Sequence, residues 1–384
     1  TLTYSGTAIN VGANTITLSG GGSLVSGGMT LNDEDSKLLL NSITLDNAST
    51  SANNSGIDVD ANSTVTSFSV GHMTPVSIKA NRTLSGSITV TAGSIKLGET
   101  GTLGSTVTMS GGTLEADNNL TLSGPLTQSG NITIAVAENK TLGYSGAAVN
   151  LGAKTLTMSG KGTFSNTNAL VLNNASSKLL LSNTTTVGKV STSLASLGVD
   201  INESSTITSL AVGHTTPVSI ASGKTLSGGI TVTAGSIKLG EAGTLASNIS
   251  MSGGTLDADN NLTLSGALTQ SGDITIDVAE DKTLGYSGAA VNLGAKTLTM
   301  SGKGTFSNTN ALRLNNASSK LLLSNTTTVN SVSTSANNSG IDVDQSSTIT
   351  SLSVGHTTPV SIAAGKTLSG GITVTGGSIK LGET

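Results

Sequence analysis

Cysteine and tryptophan are absent from all 384 residues, and the chain has only 4 prolines, 3 tyrosines and 3 phenylalanines. Without cysteine there is no disulfide, no thiolate metal site and no thiol nucleophile. With aromatics at 2%, the stacking platforms that hold single-stranded nucleic acid are excluded. Charge is scarce as well: 10% of residues, against about 25% in an ordinary domain. A net charge of −4 leaves no basic footprint for nucleic acid or anionic lipid. No run of about 18 apolar residues occurs, so no membrane insertion is expected. The chain opens at Thr1 with neither Met nor a charged leader, which reads as a mature segment or an excised piece.

What is abundant is Gly (49 residues), Ser, Thr, Asn, Leu, Val and Ile. The thirty residues from Thr141 to Leu170 return letter for letter from Thr283 to Leu312. The same step of 142 residues separates His72, His214 and His356, and also the SIKLG strings at Ser94, Ser236 and Ser378. Residues 1–384 therefore read as one continuous array, with repeats at 1–140 (two residues shorter), 141–282 and 283–384 (incomplete).

Within a repeat the beat is shorter. Runs such as TLTMSG, ALVLNN, ITSLAV, TPVSI and ITVTAG are rich in β-branched residues and punctuated by Gly and Asn, as strands are. No segment keeps helical spacing over ten residues. Grouped in threes the runs make coils of about 16 to 23 residues, seven per repeat, the size of a β-solenoid turn. Stacking buries the apolar side that one coil cannot bury alone. The expected fold is all-β: a parallel β-helix of roughly 19 coils, near 90 Å long at about 4.8 Å per coil.

Alternation sets the phase. Ile237 and Leu239 point inward and Lys238 outward. Between Lys140–Val187 and Lys282–Val329 the repeats differ once, Val171 against Arg313; a solvent-facing position tolerates that exchange, whereas an inward one would bury a charge. Asn pairs such as Asn173-Asn174 and Asn260-Asn261 are expected at corners, stacking as amide ladders.

Strings such as TLTMSG, GGTLDADNNLTLSG and GKTLSGGITVTAG, in a cysteine-free Gly/Thr/Ser/Asn chain, resemble the passenger repeats of bacterial autotransporters and filamentous-haemagglutinin-type adhesins. The resemblance covers nearly the whole chain and rests on pattern. It implies a right-handed parallel β-helix exported to the bacterial cell surface, and it names no receptor.

Candidate chemistry is sparse. His72, His214 and His356, each the only histidine of its repeat, lack the companions that a metal or a general base needs; they read as exposed turn residues, with Pro75, Pro217 and Pro359 ending the strand. Asp58 with Asp60, and Asp257 with Asp259, lie in stretches similar to calcium loops. Calcium needs about six to eight converging oxygens, and solvated corner carboxylates are the simpler reading. Uniform coils, two arginines at unrelated phases (Arg82 and Arg313) and no tryptophan argue against a polysaccharide-acting enzyme. Ice binding would use T-x-T triplets such as Thr89-Val90-Thr91, Thr106-Val107-Thr108 and Thr155-Leu156-Thr157; their irregular spacing argues against one in-register face. No cofactor and no catalytic residue is expected. The sequence points to a structural or adhesive surface shaft, joined to itself end to end or to neighbouring repeats. The alternative is a binding module that presents a repeated strip to a glycan or a cell-surface receptor.

Overall fold

The computed structural model describes the backbone of residues 1–383 and the side chains of 1–382; Thr384, the last residue of the third repeat, lies outside them. The chain divides into two compact units, Thr1–Val190 and Ser191–Thr384. Each unit is a parallel β-solenoid without helix among the described residues, and together they hold about 19 turns with about three strands in each.

One coil of unit 1 shows the plan. Strands Thr102–Leu103 and Thr106–Met109 belong to one sheet (sheet A) and Thr113–Ala116 to a second (sheet B). In other coils the two A strands fuse, as in Thr83–Val90, and a register shift between Gly86 and Ile88 marks the bend. A Cβ on Gly86, at φ 114, would lie 1.8 Å from the carbonyl oxygen of Val65, so only glycine turns this corner.

The ladders among the described residues are parallel, and the inward columns stack mainly apolar residue on apolar residue. In unit 2 the inward column runs Ile237, Leu256, Ile276, Met300, Leu323, Val343, Ile362. Its next step arrives at Glu383, four residues beyond Ile379, the repeat-equivalent of Ile237. Ile237 and Leu239 are fully buried while Lys238 is half-exposed. Position 171/313 faces outward, with Val171 half-buried and Arg313 exposed. Each buried Leu, Ile or Val contributes about 1.5–3 kcal/mol relative to exposure, and the column repeats it coil after coil. Coils run from 19 residues (Leu38 to Ile57) to 24 (Ile132 to Leu156), slightly longer than expected.

Tyr4 is exposed, and the other five aromatic rings are interior. Tyr144 stacks on Phe164 at 5.9 Å, and Tyr286 on Phe306 at 5.8 Å. The Tyr144 hydroxyl donates to Ala147 O (2.6 Å) and accepts from Leu126 N (3.1 Å). Burial pushes both phenols above their ordinary range, offset in part by the backbone amide that each accepts.

Two expectations are corrected. The asparagine pairs do not stack amide on amide: Asn173 Oδ1 accepts from Gly152 N (2.8 Å), Asn261 Oδ1 from Thr283 N (2.8 Å), and Asn260 Nδ2 donates to Gly240 O. Unequal coil lengths bring a corner amide over backbone in the neighbouring coil, and an unpaired N–H there is the stronger claim on it. The prolines do not end strands either. Pro75, Pro217 and Pro359 are the second residues of Thr74–Ile78, Thr216–Ile220 and Thr358–Ile362. Each stands over a positive-φ glycine of the preceding coil, Gly56, Gly198 or Gly340.

Candidate functional site

The charged side chains gather on sheet B. Lys37, Asp58, Lys96, Glu115, Lys238, Asp257, Asp277, Lys320 and Asp342 all lie within its strands. Strand alternation turns them outward, and the ladder brings a lysine of one coil to a carboxylate of the next. Lys37 meets Asp58 at 2.6 Å, Lys96 meets Asp117 at 3.3 Å, and Lys320 meets Asp342. Corner pairs add Lys224–Glu203 at 2.7 Å and Lys303–Glu280 at 3.3 Å. Half-exposed pairs of this kind contribute roughly 0.2–1 kcal/mol each.

Asp58 and Asp60 are drawn apart. Asp58 turns to Lys37 on the preceding coil, and Asp60 to Lys79 on the following one at 3.3 Å. Two carboxylates aimed at opposite neighbours do not converge on one cation. Among the described residues no group of three His, Cys, Asp or Glu is placed to hold a metal.

Asp257 and Asp259 have a different setting. Asp257 lies directly over Asp277 in the ladder and is paired with Lys238 at 3.3 Å. Burial, then Asp259 and Asp277, push the Asp257 carboxyl above its ordinary value against the pull of Lys238; its hydrogen bond and charge raise the lysine in turn. Asp277 also accepts from Ser301 Oγ at 2.6 Å. The repeat-equivalent of Asp277 in unit 1 is Ala135, so this cluster occurs once. Asp277 was missed by sequence reasoning; the exchange of Ala135 for Asp was its available signal, of the same kind as Val171 for Arg313.

His214 and His356 are exposed and His72 is half-buried, its Nδ1 without a hydrogen-bond partner. Each histidine sits two residues before a sheet-B strand, and its backbone underlies a glycine of the next coil: Gly93, Gly235 or Gly377. What this corner requires is a glycine above it.

Two of the surface grooves are neutral. One of about 430 Å³ follows Ser42, Thr44, Asn62, Thr64, Thr83 and Ser85; another of about 410 Å³ follows Thr244, Asn261, Thr263 and Thr283. Neither is lined by a titratable side chain. A third, of about 350 Å³, runs past Glu115 and Asp117, where Asp117 is already paired with Lys96.

The T-x-T triplets are distributed over both sheets. Thr89 is in register with Thr108, whereas Thr155-Leu156-Thr157 lies on sheet B. In-register hydroxyl columns nevertheless exist, built from other residues. On sheet A of unit 1, Thr30, Ser49, Ser69, Thr89, Thr108 and Thr127 stand one per coil, each directly over the last.

No protein-family model matches the chain, and no curated protein or solved structure matches it.

Proposed function

We propose that the chain is a structural or adhesive shaft on a bacterial cell surface, extracellular, as its resemblance to autotransporter passengers and filamentous-haemagglutinin-type adhesins implies. The observation that carries this reading is the uniformity of the coil. The same apolar columns and cross-coil hydrogen bonds recur through each unit, and the ion pairs link neighbouring coils. Such a chain makes length and stiffness. It acts as no enzyme and uses no cofactor.

The shaft joins to itself or to further repeats end to end. The strand Leu368–Val374 repeats the sequence of residues 226–232. Ile230 and Val232 are covered by Asn248–Met251 and are 3% and 0% exposed, while Ile372 and Val374 are each 52% exposed. Another coil stacked there would remove these side chains from water. A binding module that offers the neutral grooves to a glycan is the second reading, favoured by their Ser, Thr and Asn lining.

Electron microscopy over a wide dilution series tests the proposal. Elongated particles at every dilution support a shaft, and filaments that lengthen with concentration support end-to-end joining. Round particles overturn both.

A further inference from the structure

Sheet A of unit 1 carries a second feature that the shaft reading does not use. The column Thr30–Ser49–Ser69–Thr89–Thr108–Thr127 is flanked, two residues away on the same face, by Asn47, Ser67, Ser87 and Thr106. Ser67, Ser69, Thr89 and Thr127 are exposed, and Ser49, Ser87, Thr106 and Thr108 are half-exposed. The residues between them (Ala48, Phe68, Ile88 and Val107) are buried, so the hydroxyls stand on a packed base rather than on mobile loops.

From Ser63 onward the face is also uncharged; one coil earlier, Asp46 lies in the same sheet-A strand as Ser49 and accepts from the Asn47 amide. Sheet-A strands from Ser63 to Gln128 contain no Asp, Glu, Lys or Arg, while sheet B over the same coils carries Lys96 and Glu115. The two observations are independent: one is a register of backbone ladders, the other a segregation of side-chain types.

Hydroxyls on this face recur about every 4.8 Å along the ladder and about every 6.6 Å across it, two residues apart. Hexagonal ice presents oxygens on a planar grid of similar scale. Threonine adds a methyl beside each hydroxyl, and a strongly hydrated ammonium that would impose its own water shell is absent. A grid held by backbone hydrogen bonds is ordered before water meets it, which lowers the entropy cost of the contact. We propose that this neutral hydroxyl face of unit 1 binds ice. In unit 2 the equivalent column is interrupted by Ala211, and Gly229 stands in the flanking one, so the longer hydroxyl column is that of unit 1.

The test is inhibition of ice recrystallisation by the full chain, with partition into slowly grown ice as a second readout. The Thr89→Lys/Thr108→Lys variant places two ammonium groups in the grid; Ala135→Lys places one on sheet B, beside Glu115, as a control. Circular dichroism verifies that each variant keeps its β signal, and Thr89→Ser/Thr108→Ser, which alters the grid without adding charge, replaces the lysine variant should that fail to fold. The expected result is inhibition by wild type, its loss in the lysine variant or its weakening in the serine variant, and its retention in Ala135→Lys. Wild type without effect on ice overturns the proposal, and so does equal loss from both lysine variants. Self-association relieved by Thr89→Lys/Thr108→Lys, with ice growth unaffected by wild type, makes the face an interface between copies and overturns it too.

Discussion

A Cβ placed on Gly56 would stand 1.9 Å from the carbonyl oxygen of Pro75 on the next coil. The same relationship holds for Gly198 with Pro217 (1.9 Å) and Gly340 with Pro359 (2.2 Å). Gly56 has φ 89, so the position excludes a side chain twice over, by backbone conformation and by contact. Proline supplies no N–H to the ladder, and the strand tolerates it where the glycine bends the neighbouring coil.

Gly56→Ala therefore costs overpacking of about 1–3 kcal/mol in addition to the left-handed backbone. Gly223, at φ 73 with nothing within 4 Å of an added Cβ, isolates the backbone part at about 1–2 kcal/mol. Urea unfolding of the two alanine variants gives the difference. Equal destabilisation would show that the Pro75 contact is of no consequence.

Tyr144→Phe keeps the stack on Phe164 and removes the hydroxyl that bridges Leu126 N and Ala147 O. A buried amide left without its partner costs roughly 1–3 kcal/mol. The raised phenol pKa also has a sign. Above the ordinary value near 10 the unfolded chain loses its tyrosine protons first, so stability falls as pH rises through that point. A spectrophotometric titration is expected to show buried tyrosines ionising later than exposed tyrosine, and Tyr144→Phe to remove one of them.

Asp257, although paired with Lys238, shifts in the opposite direction from the usual salt-bridged carboxylate because burial and Asp259 outweigh the lysine. Its pKa is raised in the fold, so between the ordinary carboxylate value and the folded one the native state holds the extra proton. Stability from this group is present at low pH and is lost as pH rises through that window. Thermal melts of wild type and Asp257→Asn from acid to neutral pH are expected to diverge, the asparagine variant gaining on wild type toward neutrality. Parallel curves would refute the assignment.

Removal of residues 141–282 joins Lys140 to Thr283, a junction identical in sequence to Lys140-Thr141 and to Lys282-Thr283. The strand Thr283–Tyr286 has the same residues as Thr141–Tyr144, which pairs with Leu120–Leu122. The shortened chain is expected to keep its β circular dichroism and a cooperative melt. A deletion extended through Asn292 also removes Thr283–Tyr286 and Val291–Asn292 and is expected to lose cooperativity.

Much of this architecture was legible in the chain. Alternation of apolar residues about Lys238, and the tolerance of Val171 for Arg313, set which side faces inward because a buried ammonium or guanidinium is costly. Two kinds of relationship were not legible. Asn261 was assigned an amide neighbour and instead holds Thr283 N, because a partner across coils depends on the length of every corner between them. The hydroxyl column through Ser69, Thr89 and Thr108 was hidden for a different reason: its members recur every 19 or 20 residues, but Ser and Thr are so common in the chain that only the ladder picks out those sharing a face. Asp277 over Asp257 likewise emerges only when coils are counted in space.

The inward column that leaves Ile237 and reaches Glu383 rather than Ile379 works like a vernier. One scale is the sequence repeat, the other the stacking of strands, and the two slip by four residues over seven steps. In unit 2, Ile237 and its copy Ile379 thus do not share a rung line, although the repeats they belong to are nearly identical. A ligand that tracks a single line of the surface reads a changing text, and avidity through identical contacts in consecutive repeats is closed to it. Only features that recur at every coil, such as hydroxyl columns and apolar rungs, can be read in a straight line.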